Sequence, residues 1–131
     1  MSQSIFLLFS HKLTKKQIAD LESVGIEKIV YLPKELQILW SNVPPDSVVI
    51  SKYLQPVVEW LSNLAKKDDW VLIQGDFGAV FYMVDFCFNN DLIPVYSTTK
   101  RMAIEKIEDG RLVKISEFEH IIFRRYERWK R

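Results

Sequence analysis

The 131-residue chain has one cysteine and two histidines, and each scarcity closes off a class of chemistry. Cys87 has no partner in the chain, which excludes an intrachain disulfide and a thiolate metal site. A cytoplasmic location is expected from the same cysteine usage. His11 and His120 are isolated from each other, and with a single cysteine they do not make a zinc site. There is no G-x-G-x-x-G and no Walker lysine, so dinucleotide or ATP binding in those forms is not expected. Neither charge sign dominates. Lys+Arg 18 against Asp+Glu 17 gives a net charge of +1, which argues against a general nucleic-acid binder and so against DNA as a partner. No apolar run approaches transmembrane length, and MSQSIFLLFSHKLT lacks the basic region and cleavage site of a signal peptide. No membrane contact is expected.

What the chain does have is apolar and aromatic surface. Nearly half the residues are apolar, enough for one domain over 1–131 with a core of its own. Four Trp, five Tyr and eight Phe are many for this length, and part of that surface suits burial against a second copy.

The run WVLIQGDFGA, residues 70–79, organises the rest. Val71, Leu72 and Ile73 form a continuous apolar stretch, which suits a strand buried on both faces. Gly75 and Gly78 then loosen the backbone before Ala79 to Phe88, a run apolar all round that predicts a buried helix. Strand, glycine turn and helix make the corner where open α/β sheets hold ligands. Backbone N–H groups and the positive end of the helix dipole there face an anion.

Around that corner, Ser4 to Phe9 predicts a first, central strand with Ser10 and His11 at its carboxyl end. Thr14-x-x-Gln17 is a capping box opening a helix whose inner face is Ile18, Leu21 and Val24, stopped by Gly25. Ile29 to Leu32 reads as the second strand, ended by Pro33. Lys34 to Trp40 reads as a short helix, and Pro44-Pro45 as a turn. Tyr53, Val57, Trp60, Leu61 and Leu64 recur at helical spacing, so Lys52 to Lys66 is an amphipathic helix whose regular part starts at Pro56. Ile93 to Tyr96 is a fourth strand, and Pro94 argues for an edge or terminal position. It is expected to end in Ser97-Thr98-Thr99-Lys100-Arg101. The alternation implies a parallel sheet with right-handed crossovers. Beyond Arg101, Ala103 to Ile107 and Leu112 to Ile115 flank Glu108-Asp109-Gly110, a hairpin signal. Phe118 to Tyr126 extends this antiparallel part, and Arg124 to Arg131 is a basic tail. The fold class is α/β: a Rossmann-like, mainly parallel sheet with flanking helices over 1–100, and an antiparallel β-hairpin extension with the tail over 101–131.

In a parallel sheet all carboxyl ends share one edge, so Ser10-His11, Gln74-Gly75-Asp76 and Ser97 to Arg101 should approach each other. They offer an imidazole, hydroxyls, glycine N–H donors, a carboxylate and the cations Lys100 and Arg101. That inventory suits a phosphate ester better than an apolar metabolite. Each piece also has a purely structural use. His11 can cap the first helix, and Ser10, Thr98 and Thr99 are common turn residues. Gly75 and Gly78 can answer to backbone geometry alone. Asp76 can be an N-cap, and Arg101 can pair with Glu105. Phe81, Tyr82, Phe86 and Phe88 read as core or dimer interface, and His120 as a half-buried strand residue. Asp76-Phe77-Gly78 spells a kinase triplet without the other kinase motifs. Gly75-x-x-Gly78 matches a KH loop, but with an acid that repels a nucleic-acid backbone.

LLFSH, LIQGDFGA, PVYSTTKR and FEHIIFRRYE together resemble one CRISPR-associated family across nearly the whole chain. These are the small stand-alone proteins numbered twenty in the Csx series, which are similar to CARF domains. The resemblance implies a single CARF-like domain that forms a homodimer. It also implies binding and cleavage of a cyclic oligoadenylate second messenger, with cyclic tetra-adenylate the expected ring, and so shutdown of type III CRISPR signalling. No cofactor or metal is implied. A ribose 2′-OH beside a phosphodiester is a built-in nucleophile, and the product ends in a 2′,3′-cyclic phosphate. The protein aligns the reacting atoms, neutralises the phosphate and manages protons. His11 is the expected acid or base, with Ser10 and Arg101 beside it as catalytic residues. Gln74, Gly75, Asp76, Phe77, Gly78, Thr98, Thr99 and Lys100 are expected to bind the ligand. CARF ring nucleases share no single catalytic set, and others use a hydroxyl with a lysine, which keeps Ser10 with Lys100 or Lys114 open. A two-fold dimer suits a cyclic tetranucleotide, because opposite phosphates meet equivalent sites. A non-catalytic sensor or sponge is the alternative.

Overall fold

Alternating burial along two strands sets the layers of the molecule. In β1 (Gln3–Leu8), Ile5 and Leu7 join one core while Phe6 and Leu8 join another. In β3 (Trp70–Ile73), Trp70 and Leu72 face the first core, and Val71 and Ile73 the second. Both strands are therefore interior, as their near-continuous apolar sequences require. The computed structural model describes residues 3–130. Five strands form one sheet in the order β2-β1-β3-β4-β5, with β2 (Ile26–Tyr31), β4 (Ile93–Glu108) and β5 (Arg111–Arg125) completing it. β1 to β4 pair in parallel, and β5 runs antiparallel to β4.

Four helices cover the sheet. α1 (Lys15–Ser23) supplies Leu21 to the first core. α2 (Lys34–Ser41), α3 (Gln55–Leu64) and α4 (Phe77–Asn89) build the larger core on the other face, around Trp40, Leu54, Val57, Leu61 and Met83. The capping box is present: Gln17 N donates to Thr14 Oγ1 at 3.1 Å, and Thr14 N donates to Gln17 Oε1 at 2.8 Å. Pro56 sits in the first turn of α3, where its missing N–H costs nothing.

Four expectations change and a fifth narrows. α1 stops at Ser23, so Val24 falls at the C-cap and is 48% exposed, while Gln17 takes the buried place on the inner face. β2 begins at Ile26 rather than Ile29, directly after Gly25 turns the chain at φ 90°. Of the edge and terminal positions expected for Pro94, the terminal one holds. Pro94 is the second residue of β4, between β3 and β5, and lies before the β5 ladder begins at Val95 opposite Arg125. The strand does not end in Ser97 to Arg101, because β5 offers a continuous partner up to the Asp109-Gly110 turn. Both turn residues have positive φ, 50° and 75°, as a two-residue hairpin needs. Finally, α4 is buried along Ala79, Met83 and Cys87 only; Phe77 and Phe81 face outward.

Candidate functional site

At the carboxyl edge of the sheet, Gln74 is held at three atoms. Its N–H donates to Leu8 O at 3.1 Å, its carbonyl accepts from Trp40 Nε1 at 3.0 Å, and Oε1 accepts from Ser97 N at 2.8 Å. The carboxamide is thus fixed by the backbone of β4. No protein acceptor among the described residues takes its Nε2 hydrogens. Ser10 and His11 follow two and three residues after Leu8 and are both exposed. The His11 ring meets Phe9 edge-on, with centroids 5.3 Å apart. Ser10, His11 and Gln74 follow the neighbouring strands β1 and β3 at one sheet edge, and the contact that joins two of the three expected segments is the bond between Gln74 and Ser97.

The glycine turn answers first to packing. A Cβ on Gly75 would lie 2.9 Å from Trp40 Nε1, so the indole occupies the space a side chain needs. Gly78 has ordinary room, with its nearest atoms at 3.5 Å. Asp76 is the N-cap of α4, its Oδ2 accepting from Ala79 N at 3.0 Å. The protein's own carboxylate therefore holds a place expected for a ligand anion. Phe77 is 94% exposed just beyond it.

The third segment separates along the hairpin. Ser97 is buried at the sheet edge. Thr98 Oγ1 donates to Ile122 O and accepts from Ile122 N, at 3.2 and 3.1 Å. That hydroxyl fills a β-bulge, the register jumping from Ser97 opposite Phe123 to Thr99 opposite His120. Lys100 faces Glu119 across the ladder. Arg101 donates to Ser116 Oγ from Nε and Nη2, at 3.1 and 2.9 Å. It stands four residues past Ser97, roughly 13 Å along the strand.

The same bulge turns His120 inward, and the sequence reading missed what it meets there. His120 Nδ1 lies 2.5 Å from Ser97 Oγ, and Nε2 lies 2.8 Å from Asp20 Oδ2 on α1. Gln17 Nε2 donates to Ser97 Oγ at 3.4 Å. One direction of donation satisfies every atom: Gln17 to Ser97, the Ser97 hydroxyl to Nδ1, and Nε2–H to Asp20. Ser97 and His120 are 8% and 6% exposed. The chain carboxylate–imidazole–hydroxyl is linked through Ser97 N to Gln74. The one signal available beforehand was Gln17 and Asp20 three apart on a helix that already buries Leu21. Nearby, Lys16 forms an ion pair with Glu119, which lowers the exposed Glu119 carboxyl below its ordinary range.

The open, mainly parallel five-stranded sheet with helices on both faces puts this chain among the α/β proteins. Within that class, the chain belongs to the Uncharacterized protein MJ1673 family, which it matches over residues 3–124. It is 53% identical over 123 residues to a protein described as Uncharacterized protein MJ1673 from Methanocaldococcus jannaschii, spanning 93% of this chain and 95% of that one. No solved structure matches the chain. Among the described residues, no helix is long and apolar enough to cross a membrane.

Proposed function

We propose that this protein is a CARF-like, Rossmann-like ring nuclease acting in the cytoplasm as a homodimer. It binds a cyclic oligoadenylate, with the tetra-adenylate the expected ring, and cuts it without a metal. The observation that carries the reading is the carboxamide of Gln74. It is locked at the carboxyl edge with free N–H donors, on the same sheet edge where the exposed Ser10 and His11 follow the neighbouring strand β1. Those groups suit a phosphodiester or an adenine edge.

In the proposed reaction His11 takes the proton of a ribose 2′-OH, the 2′-oxygen attacks phosphorus, and the bond to the 5′-oxygen breaks. The leaving 5′-oxygen takes a proton from water, the hydroxide left behind takes the proton held by His11, and the product ends in a 2′,3′-cyclic phosphate. Positioned acid–base help of this kind contributes on the order of 100- to 10,000-fold. Arg101 and Lys100, farther up the hairpin, meet a distant phosphate of the ring rather than the one beside His11. Binding measured on native gels with labelled cyclic tetra-adenylate tests the site. Gln74→Ala should weaken binding at least tenfold, whereas His11→Ala should bind normally and lose cleavage. Wild-type cleavage by His11→Ala would remove His11 from the chemistry.

A sensor or sponge is the second reading, and one observation favours it. Catalytic histidines are commonly oriented by a polar partner, whereas the recorded ring contact of His11 is with Phe9. A sponge would deplete the ring stoichiometrically and release no linear product.

A further inference from the structure

α4 carries two apolar stripes on opposite sides. Ala79, Met83 and Cys87, spaced by four, are fully buried against the sheet. Phe77 and Phe81, also four apart, point away and are 94% and 78% exposed. Phe81 borders two hollows. One, of about 520 Å³, runs past Val84 and Phe88 to Trp129 of the C-terminal tail. The other reaches Val48 and Val49, in the loop between α2 and α3. Val48, Val49 and Trp129 are 99%, 74% and 85% exposed. These side chains therefore form one continuous apolar surface.

Its size points to a partner. At the usual area of an aromatic side chain, Phe77, Phe81 and Trp129 alone expose about 550 Å². With the two valines the surface approaches the ~800 Å² per partner of a standard interface, beyond the roughly 300–600 Å² of the largest patch on most monomers. The rim carries both signs, Asp85 and Glu127 against Arg128, so a two-fold axis can set acid opposite base. The surface also holds a knob, Trp129, beside a hollow large enough for an indole, the self-complementarity an isologous contact requires.

We infer that this surface is the two-fold interface of a homodimer, with Phe81 near the axis and Trp129 of each copy seated in the α4 hollow of the other. The inference rests on the proposed reading in one respect. Asp76 begins α4, so a two-fold axis running along α4 sets the two Gln74-Gly75-Asp76 turns at the same end of the dimer, facing a shared ring.

The test is the mass in solution of the full chain, by light scattering after gel filtration, with circular dichroism to confirm folding. Wild type should be a dimer. Phe81→Asp and, separately, the loop variant Val49→Asp should be folded and raise the dimer dissociation constant at least ~100-fold, because each change counts twice at a two-fold. Phe81→Cys should be crosslinked across the axis by a short bis-maleimide, since the native Cys87 is buried. A wild-type monomer at the highest attainable concentration, or a dimer unaffected by both aspartates, would overturn the inference. A dimer lost in both variants, together with no cleavage by wild type, would keep the interface and remove only the ring-nuclease reading.

Discussion

Replacing His120 by alanine cuts the tie between α1 and the hairpin, and the loss follows from three contacts. The Nε2 bond to the Asp20 carboxylate, 2.8 Å long with the acid only 25% exposed, is worth about 1.5–3 kcal/mol. The bond from the Ser97 hydroxyl contributes about 1 kcal/mol. The ring also packs on Phe123 with centroids 4.5 Å apart, adding about 0.5 kcal/mol. Alanine leaves the buried Ser97 hydroxyl without its acceptor, so nothing offsets these losses. The expected cost is about 3–4.5 kcal/mol, which lowers the Tm of a domain this size by roughly 10–15 °C. Thermal unfolding followed by circular dichroism measures it. A cycle pairing His120→Ala with Asp20→Asn should show coupling of at least ~1 kcal/mol. A Tm within about 3 °C of wild type, or additive single effects, would refute the tie.

Three other outcomes follow from the geometry. Gly75→Ala drives a methyl into Trp40, so it should cost about 1–3 kcal/mol and shift the tryptophan fluorescence, while Gly78→Ala should stay within about 0.5 kcal/mol; equal effects would be contrary. Burial pushes the Cys87 thiol up from 9.0 to about 12, so it should resist thiol reagents at pH 8 until the protein unfolds. The unfolded chain then loses that proton between pH 9 and 12 while the native one keeps it, so stability falls as pH rises through that window, and Cys87→Ala should flatten the slope. Arg101→Ala should weaken ring binding without altering the fold, because Arg101 bonds only to exposed Ser116 among the described residues; unchanged affinity would remove it from the phosphate contacts.

Local signals carried far into this fold because they act over a few residues. Thr14 and Gln17 close their capping box on each other, and Asp109-Gly110 can hardly be anything but a tight turn. Continuous apolar runs marked β1 and β3 as interior. Length failed where a neighbour decides it. Nothing within Ser97 to Arg101 tells that β5 will pair beside it and keep the strand going. α4 misled because its composition is apolar on both sides, whereas the sheet can cover only one. The site was legible in part for the same reason: Ser10, His11 and Gln74 lie at the ends of adjacent strands. The tie of Asp20 to His120 spans 100 residues and depends on a single bulge, which sequence periodicity does not encode.

The ring-nuclease proposal meets its most direct test in incubation with excess radiolabelled cyclic tetra-adenylate in EDTA, with products resolved over time. Linear products ending in a 2′,3′-cyclic phosphate, formed in amounts exceeding the enzyme, are the predicted result. Ring that stays intact, whether bound to the protein or free, would contradict it.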